Sequence, residues 1–137
     1  MRYVALMSQN TVGEWMSTDP VTIDLGLSVA DASARMHESQ IRHLPVLSGE
    51  GHLVGLLSSR DVALVNGLPG VDIDKLQVQE AMSDHVYTVS PDTTLNEAIT
   101  HMRDHKFGAA VVMQGGKCVG MFTVIDALGV LSKFLNE

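Results

Sequence analysis

The chain has 137 residues, 45% of them apolar and only 18% charged, which excludes a disordered polar chain and suits one compact fold. A formal charge of −7 excludes the basic stripe of a nucleic-acid surface, so an anionic ligand would have to be drawn by local cations. No apolar run approaches the roughly 18 to 20 residues of a membrane span, and no basic segment followed by a long apolar one opens the chain, so a soluble, cytoplasmic protein is expected.

Residues 1–11 form a lead-in whose Tyr3, Val4, Leu6 and Met7 suit either a strand or a turn of helix. From Val12 the sequence repeats itself. Glu14-Trp15-Met16-Ser17 returns as Glu80-Ala81-Met82-Ser83, and Thr22/Thr88, Ala32/Ala98, Met36/Met102 and Val46/Val112 keep the same offset. Val54/Val119, Gly55/Gly120 and Asp61/Asp126 follow at an offset one shorter, because the turn Ser48 to His52 is one residue longer than Gln114 to Lys117. The repeats are expected over residues 12–70 and 71–137.

Each repeat reads as strand, helix, strand, strand, helix. Val21-Thr22-Ile23, after the turn Asp19-Pro20, is a short β-rich run matched by Val86 to Val89. Ser28 and Thr94 cap helices of about a dozen residues, with Val29, Ala32 and Met36 on one face of the first and Leu95, Ala98, Ile99 and Met102 on one face of the second. Leu44 to Leu47 and Ala109 to Met113 are buried strands joined by Gly-containing turns to Leu53–Leu57 and Cys118–Phe122. Pro45 stands out, since proline cannot donate to a ladder and belongs at a strand start or edge. The second helices follow from Asp61 and Asp126, and Leu128, Val130, Leu131, Phe134 and Leu135 continue an apolar face to the C-terminus. Three strands and two helices leave one sheet face bare, so the repeats are expected to pack on each other about a pseudo-twofold axis.

The most informative stretch is Gly55-Leu56-Leu57-Ser58-Ser59-Arg60-Asp61, repeated as Gly120-Met121-Phe122-Thr123-Val124-Ile125-Asp126. A glycine-headed apolar strand ends in a hydroxyl residue with an aspartate three positions on, the form of a helix capping box. At such a junction the first N–H groups of the helix lack intrahelical partners and carry partial positive charge, which favours an anion. Capping alone explains each copy taken singly, as it does at Ser28/Asp31 and Thr94/Glu97; the repeated glycine-strand context is what sets these two apart.

With these motifs in view, the paired units, each with a Met-Ser start, a helix, an Arg-His-Leu-Pro-Val-type strand and the glycine-to-aspartate junction, closely resemble a cystathionine β-synthase (CBS) domain pair, or Bateman module. The resemblance runs from about Val12 to Leu131 and is to the small stand-alone CBS-pair proteins of prokaryotes. It implies an α/β fold of two βαββα repeats and a regulatory module, without catalysis, that binds AMP, ADP, ATP or S-adenosylmethionine between the repeats. Such pairs are often joined to an enzyme, channel or transporter, and none is expected here. The resemblance assigns Ser58 and Asp61 to the ribose, with Arg42, His43 and Arg60 supplying positive charge to the phosphate. It puts the residues around Thr18 and Val21 against the adenine. In the second repeat Thr123 and Asp126 remain, but Gly108-Ala109 replaces Arg42-His43 and Ile125 replaces Arg60. One good site and one weak or empty site are therefore expected.

The remaining candidates read more plainly. Cys118, the only cysteine, lies in an apolar run and is expected to be a packed thiol. His101 and His105 have the i, i+4 spacing of two metal ligands but no third, so an exposed helix face is expected, as it is for His37, Glu38 and His52. His43 reads as a ligand contact, with a hydrogen-bonded packing residue as the alternative. Trp15 is expected in packing, with a dimer contact second, and Met16, Met36, Met82 and Met102 in the core. No cofactor or metal is expected. The exposed apolar helix faces, with the family's habit of associating through helices, suggest a homodimer and a protein partner that the sequence does not identify. The alternative function is a scaffold in which both junctions are only capped helices.

Overall fold

The structure is a computed structural model that describes residues 9–136. The lead-in residues Tyr3, Val4, Leu6 and Met7 lie outside them. The chain forms two compact units, a middle unit of Pro20–Val86 and a terminal unit that joins the residues up to Asp19 to those from Tyr87 onward.

The middle unit runs β2 (Ile23–Asp24), α2 (Val29–Ser39), β3 (His43–Leu47), β4 (Leu53–Ser58), α3 (Ser59–Asn66) and α4 (Val78–Ala81). The terminal unit holds α1 (Val12–Trp15) and β1 (Ser17–Thr18), then β5 (Thr88–Val89), α5 (Leu95–His105), β6 (Ala109–Gln114), β7 (Lys117–Thr123) and α6 (Val124–Leu135). The expected order within each repeat is present. The opening strands are shorter than the β-rich runs, leaving Val21 and Thr22 outside β2, and α3 and α6 begin two residues before the aspartates, which occupy the third helical position behind the caps Ser58 and Thr123.

The middle sheet has the order β2-β3-β4, with β2 parallel and β4 antiparallel to β3. The terminal sheet has the order β1-β7-β6-β5, the same three-strand pattern with β1 added antiparallel to β7. Strand alternation sends Leu44, Val46 and Leu57 to the core of the middle unit, where Ile23, Val29, Ala32 and Met36 meet them. Phe122, Val112, Leu95, Ala98 and Met102 do the same in the terminal unit, closed by Val130 and Phe134 of α6. Fully burying a Val, Leu or Phe side chain contributes about 1.5–3 kcal/mol, so each unit has its own core to hold it together. Met36 and Met102 are buried as expected, and Met16 and Met82 are half-buried against the two cores. Trp15 packs edge-on against Phe134, with the Lys133 ammonium 5.5 Å from its ring centre.

The opening segment of each repeat folds with the other repeat. Val12 donates its N–H to the Thr93 carbonyl at 2.8 Å and Gly13 donates to Pro91 at 2.9 Å, while β1 pairs with β7. In the middle unit Val78 donates to Leu27 at 2.8 Å and Gln79 to Leu25 at 3.0 Å, the same bonds with the two repeats exchanged. Ser83 bonds Leu56 there as Ser17 pairs Met121 in the other unit. This exchange gives the strand-heading glycines their purpose. A Cβ on Gly55 would lie 2.9 Å from the Ser83 carbonyl oxygen and against the Met82 sulfur, and one on Gly120 would lie 2.8 Å from the Ser17 oxygen and against Met16. Only glycine lets the Met-Ser segment lie so close.

Pro45 lies in the central strand of its sheet rather than at an edge. The structure accommodates it because the ladder to β2 begins only at Val46. At the matching place in the terminal unit, Val111 donates its N–H to the Tyr87 carbonyl at 2.9 Å. Pro45 has no N–H to give, so the Val21 carbonyl is not engaged in that way.

Candidate functional site

Both junctions form as capped helix starts. In the middle unit the Ser58 N–H donates to Asp61 Oδ2 at 2.9 Å and the Asp61 N–H donates to Ser58 Oγ at 3.1 Å. Ser59, first residue of α3, donates its N–H to the Arg42 carbonyl at 2.8 Å. In the terminal unit the Thr123 N–H donates to Asp126 Oδ2 at 2.8 Å, the Thr123 hydroxyl shares that oxygen at 3.3 Å, and Val124 donates to the Gly108 carbonyl at 3.1 Å. Each aspartate is half-buried and uses one carboxylate oxygen in its own cap. The second oxygen is the one left for an outside donor such as a sugar hydroxyl.

The surroundings differ. His43 is paired across the sheet with Ser58, half-buried. Burial pushes its pKa below the usual histidine value; the Asp61 carboxylate opposes that shift and the Arg42 guanidinium adds to it. Arg42 and Arg60 are exposed beside it. At the middle junction His43 thus lies within electrostatic reach of the Asp61 carboxylate, with Arg42 next to His43 and Arg60 next to Asp61 along the chain. At the terminal junction Ala109 is buried opposite Thr123, and Ile125 is 70% exposed where Arg60 stands in the other unit.

Arg42 and His43 stay close enough for the guanidinium to oppose charging of the ring, and they differ in what else they reach. Arg42 lines a cavity between α2 and α3, whereas His43 lies at the start of β3 outside that lining. Val21, Arg42, His43, Ser58, Arg60 and Asp61 belong to the middle unit; Thr18, in β1 opposite Gly120, belongs to the terminal unit with Thr123 and Asp126. The division falls between Asp19 and Pro20 and parts the Thr18–Val21 segment. The feature missed in the sequence is the Val21 carbonyl, whose signal is present there: proline at 45 against valine at 111.

The other candidates are structural. The Cys118 thiol is half-buried and its pKa is raised by burial, against a weak bond to the Gly120 carbonyl, so it lacks the thiolate character of a nucleophile. His101 and His105 are not a plain solvated face. Their rings stack at 4.0 Å and 19°, Tyr87 stacks on His101 at 4.0 Å, and Phe107 lies within about 6 Å of all three. Face-stacked imidazoles hold their in-plane lone pairs side by side, a poor arrangement for one metal about 2.1 Å from each nitrogen. Among the described residues no three His, Cys, Asp or Glu side chains gather as a metal site. No described helix is long and apolar enough to cross a membrane.

The chain is similar to known proteins over most of its length. A homoserine O-acetyltransferase of Methanohalobium evestigatum is 29% identical over 129 residues, which is 93% of this chain but 25% of the relative, so the chain spans about a quarter of that enzyme. The CBS domain pair of protein MJ0100, solved with 5′-methylthioadenosine and S-adenosyl-L-methionine, superposes with a TM-score of 0.82 at 23% identity, covering 90% of this chain and 97% of that one. The protein CBSX2, solved with AMP, superposes with a TM-score of 0.78 at 24% identity, covering 91% and 98%. The CBS domain model matches twice, at residues 12–65 and 78–133, and the chain belongs to the CBS domain family as a pair of such domains.

Proposed function

We propose that the protein is a regulatory module that binds one adenine nucleotide, AMP, ADP or ATP, at the middle unit's junction and carries out no chemistry on it. One observation carries this reading: of two junctions built alike, only that of Ser58 and Asp61 has basic residues, Arg42, His43 and Arg60, around the helix start. In this reading the uncapped Asp61 oxygen accepts the ribose hydroxyls. The cations and the start of α3 hold the phosphate against an overall charge of −7. Val21 lies along the adenine, its carbonyl an acceptor that Pro45 leaves to the ligand. Thr123 and Asp126 retain the ribose contact at a weak second site. The family and the adenosine compounds held by MJ0100 and CBSX2 support the ligand class, and S-adenosylmethionine shares the adenosine that this site reads. Bound ligand favours one arrangement of the protein over another, and a partner protein in the cytoplasm reads the difference.

Thermal unfolding tests the proposal. AMP, ADP or ATP at about 100 times its dissociation constant stabilises by roughly 2.7 kcal/mol, and Asp61→Ala abolishes that gain. Absence of a shift with any of the three, or with S-adenosylmethionine, favours the second reading, a scaffold that dimerises through its helices. That reading draws on α6, where Val124, Ile125, Leu128, Leu131 and Leu135 are 46–70% exposed. A homodimer through this face is part of both readings, and sedimentation showing only monomer counts against it.

A further inference from the structure

The cavity between α2 and α3 of the middle unit, about 550 Å³, has a floor of Met36 and Val62, each no more than 9% exposed. Five polar residues line it: Ser33 and His37 on one face of α2, Gln40 at its C-cap, Arg42 at the entry to β3, and Ser59 at the start of α3. None of the five makes a side-chain hydrogen bond or ion pair among the described residues, and no carboxylate lines the cavity. In a chain of net charge −7, this hollow presents one fixed positive charge and several hydrogen-bond donors to an anion, with no acid in its lining to repel it.

It shares Arg42 with the nucleotide site proposed above but lies across α3 from Asp61. At 3.6 residues per turn, Ser59, Val62 and Ala63 share one face of α3, and Asp61 stands on the opposite one. The repeat supplies a control. The residues matching Ser33, Arg42 and Ser59 are Ile99, Gly108 and Val124, and Arg103, which matches His37, is paired with Asp104 at 2.9 Å; Lys106 matches Gln40. The terminal unit therefore lacks the counterpart of Arg42 and both hydroxyls at this place, and of the two cations it has instead, Arg103 is already neutralised by Asp104.

We infer that the α2–α3 cavity of the middle unit is a second binding site, for a small organic anion whose phosphate or carboxylate head meets Arg42 and whose apolar body rests on Met36 and Val62. Titrating the isotope-labelled full chain with phenyl phosphate, benzoate and inorganic phosphate, followed by amide NMR shifts, tests this. The two aromatic anions are expected to give saturable shifts over residues 33–42 and 59–63 at least about fivefold more tightly than inorganic phosphate, the difference being the apolar body. Preference between the first two tells a phosphate ester from a carboxylate. Arg42→Gln weakens binding by about tenfold, the loss of one charge-assisted hydrogen bond. Ser33→Glu abolishes binding while leaving stabilisation by adenine nucleotides in place, which separates this site from the proposed nucleotide site. Shifts confined to residues 58–61, shifts that never saturate, or wild-type binding in both variants would overturn the inference.

Discussion

The Ser58 and Thr123 junctions are the same piece of folding with different surroundings. Both end an antiparallel strand, both start a helix, and both fold an aspartate back onto the cap at 2.8–2.9 Å. One is surrounded by basic residues and the other by Gly108, Ala109 and Ile125. The cap is therefore a property of the fold, needed twice because the helix starts twice; charge is the property that is present once. A capping motif identifies a helix start, and only its neighbours distinguish a place for a ligand from a place that closes a core.

The comparison is broken most forcibly at the glycines. Gly55→Ala and Gly120→Ala each push a Cβ into a carbonyl under 3 Å away, so both lower unfolding free energy by about 1–3 kcal/mol in a denaturant titration. Equal losses mean that the glycines serve the fold in both units; a loss at Gly55 alone would mean that the close approach matters only in the middle unit. The next effect sharpens the comparison by moving charge. Gly108→Arg gives the terminal junction the cation it lacks and strengthens the second nucleotide site about tenfold, one charge-assisted bond, as read by calorimetric stoichiometry. Two equal tight sites in the unmodified protein would remove the asymmetry altogether.

The smallest effect is on pH. His43 has a folded-state pKa below its unfolded value, because burial disfavours the charged ring more than Asp61 favours it. The unfolded chain then binds more protons as pH falls below about 6.5, so His43 costs the folded state stability there and has no effect above that value. His43→Asn flattens that acid-side decline by less than about 1 kcal/mol in urea midpoints measured from pH 7 to 5. A bound phosphate reverses the sign by favouring the charged ring, so nucleotide binding near pH 6 takes up protons, seen as a buffer-dependent heat of binding.

The repeat made the fold legible. A constant offset held from Glu14/Glu80 to Val46/Val112 fixes one unit by the other, and the apolar periods of α2, α5, β3 and β6 fall on the cores they form. The caps were legible for the same reason, being local. What could not be read was non-local. Nothing in the run from Val12 to Thr18 says that it hydrogen-bonds to the second repeat, and without that exchange the need for Gly55 and Gly120 has no visible cause. Arg42 and His43 are adjacent in sequence and remain electrostatic neighbours, but that Arg42, just ahead of β3, also reaches the α2–α3 cavity depends on how those helices pack. Pro45 is an anomaly visible in the sequence; its consequence, an unclaimed carbonyl at Val21, needed the matching bond between Val111 and Tyr87.

The exchanged opening segments also set the order in which the molecule can be made. Pro20–Val86 is one continuous stretch and has all its strands as soon as it leaves the ribosome. The terminal unit has its first strand before the middle unit and that strand's partner, β7, after it. Ser17 and Thr18 must wait unpaired for about a hundred residues, so the terminal unit is completed by a loop closure across the whole middle unit, the slow kind of contact.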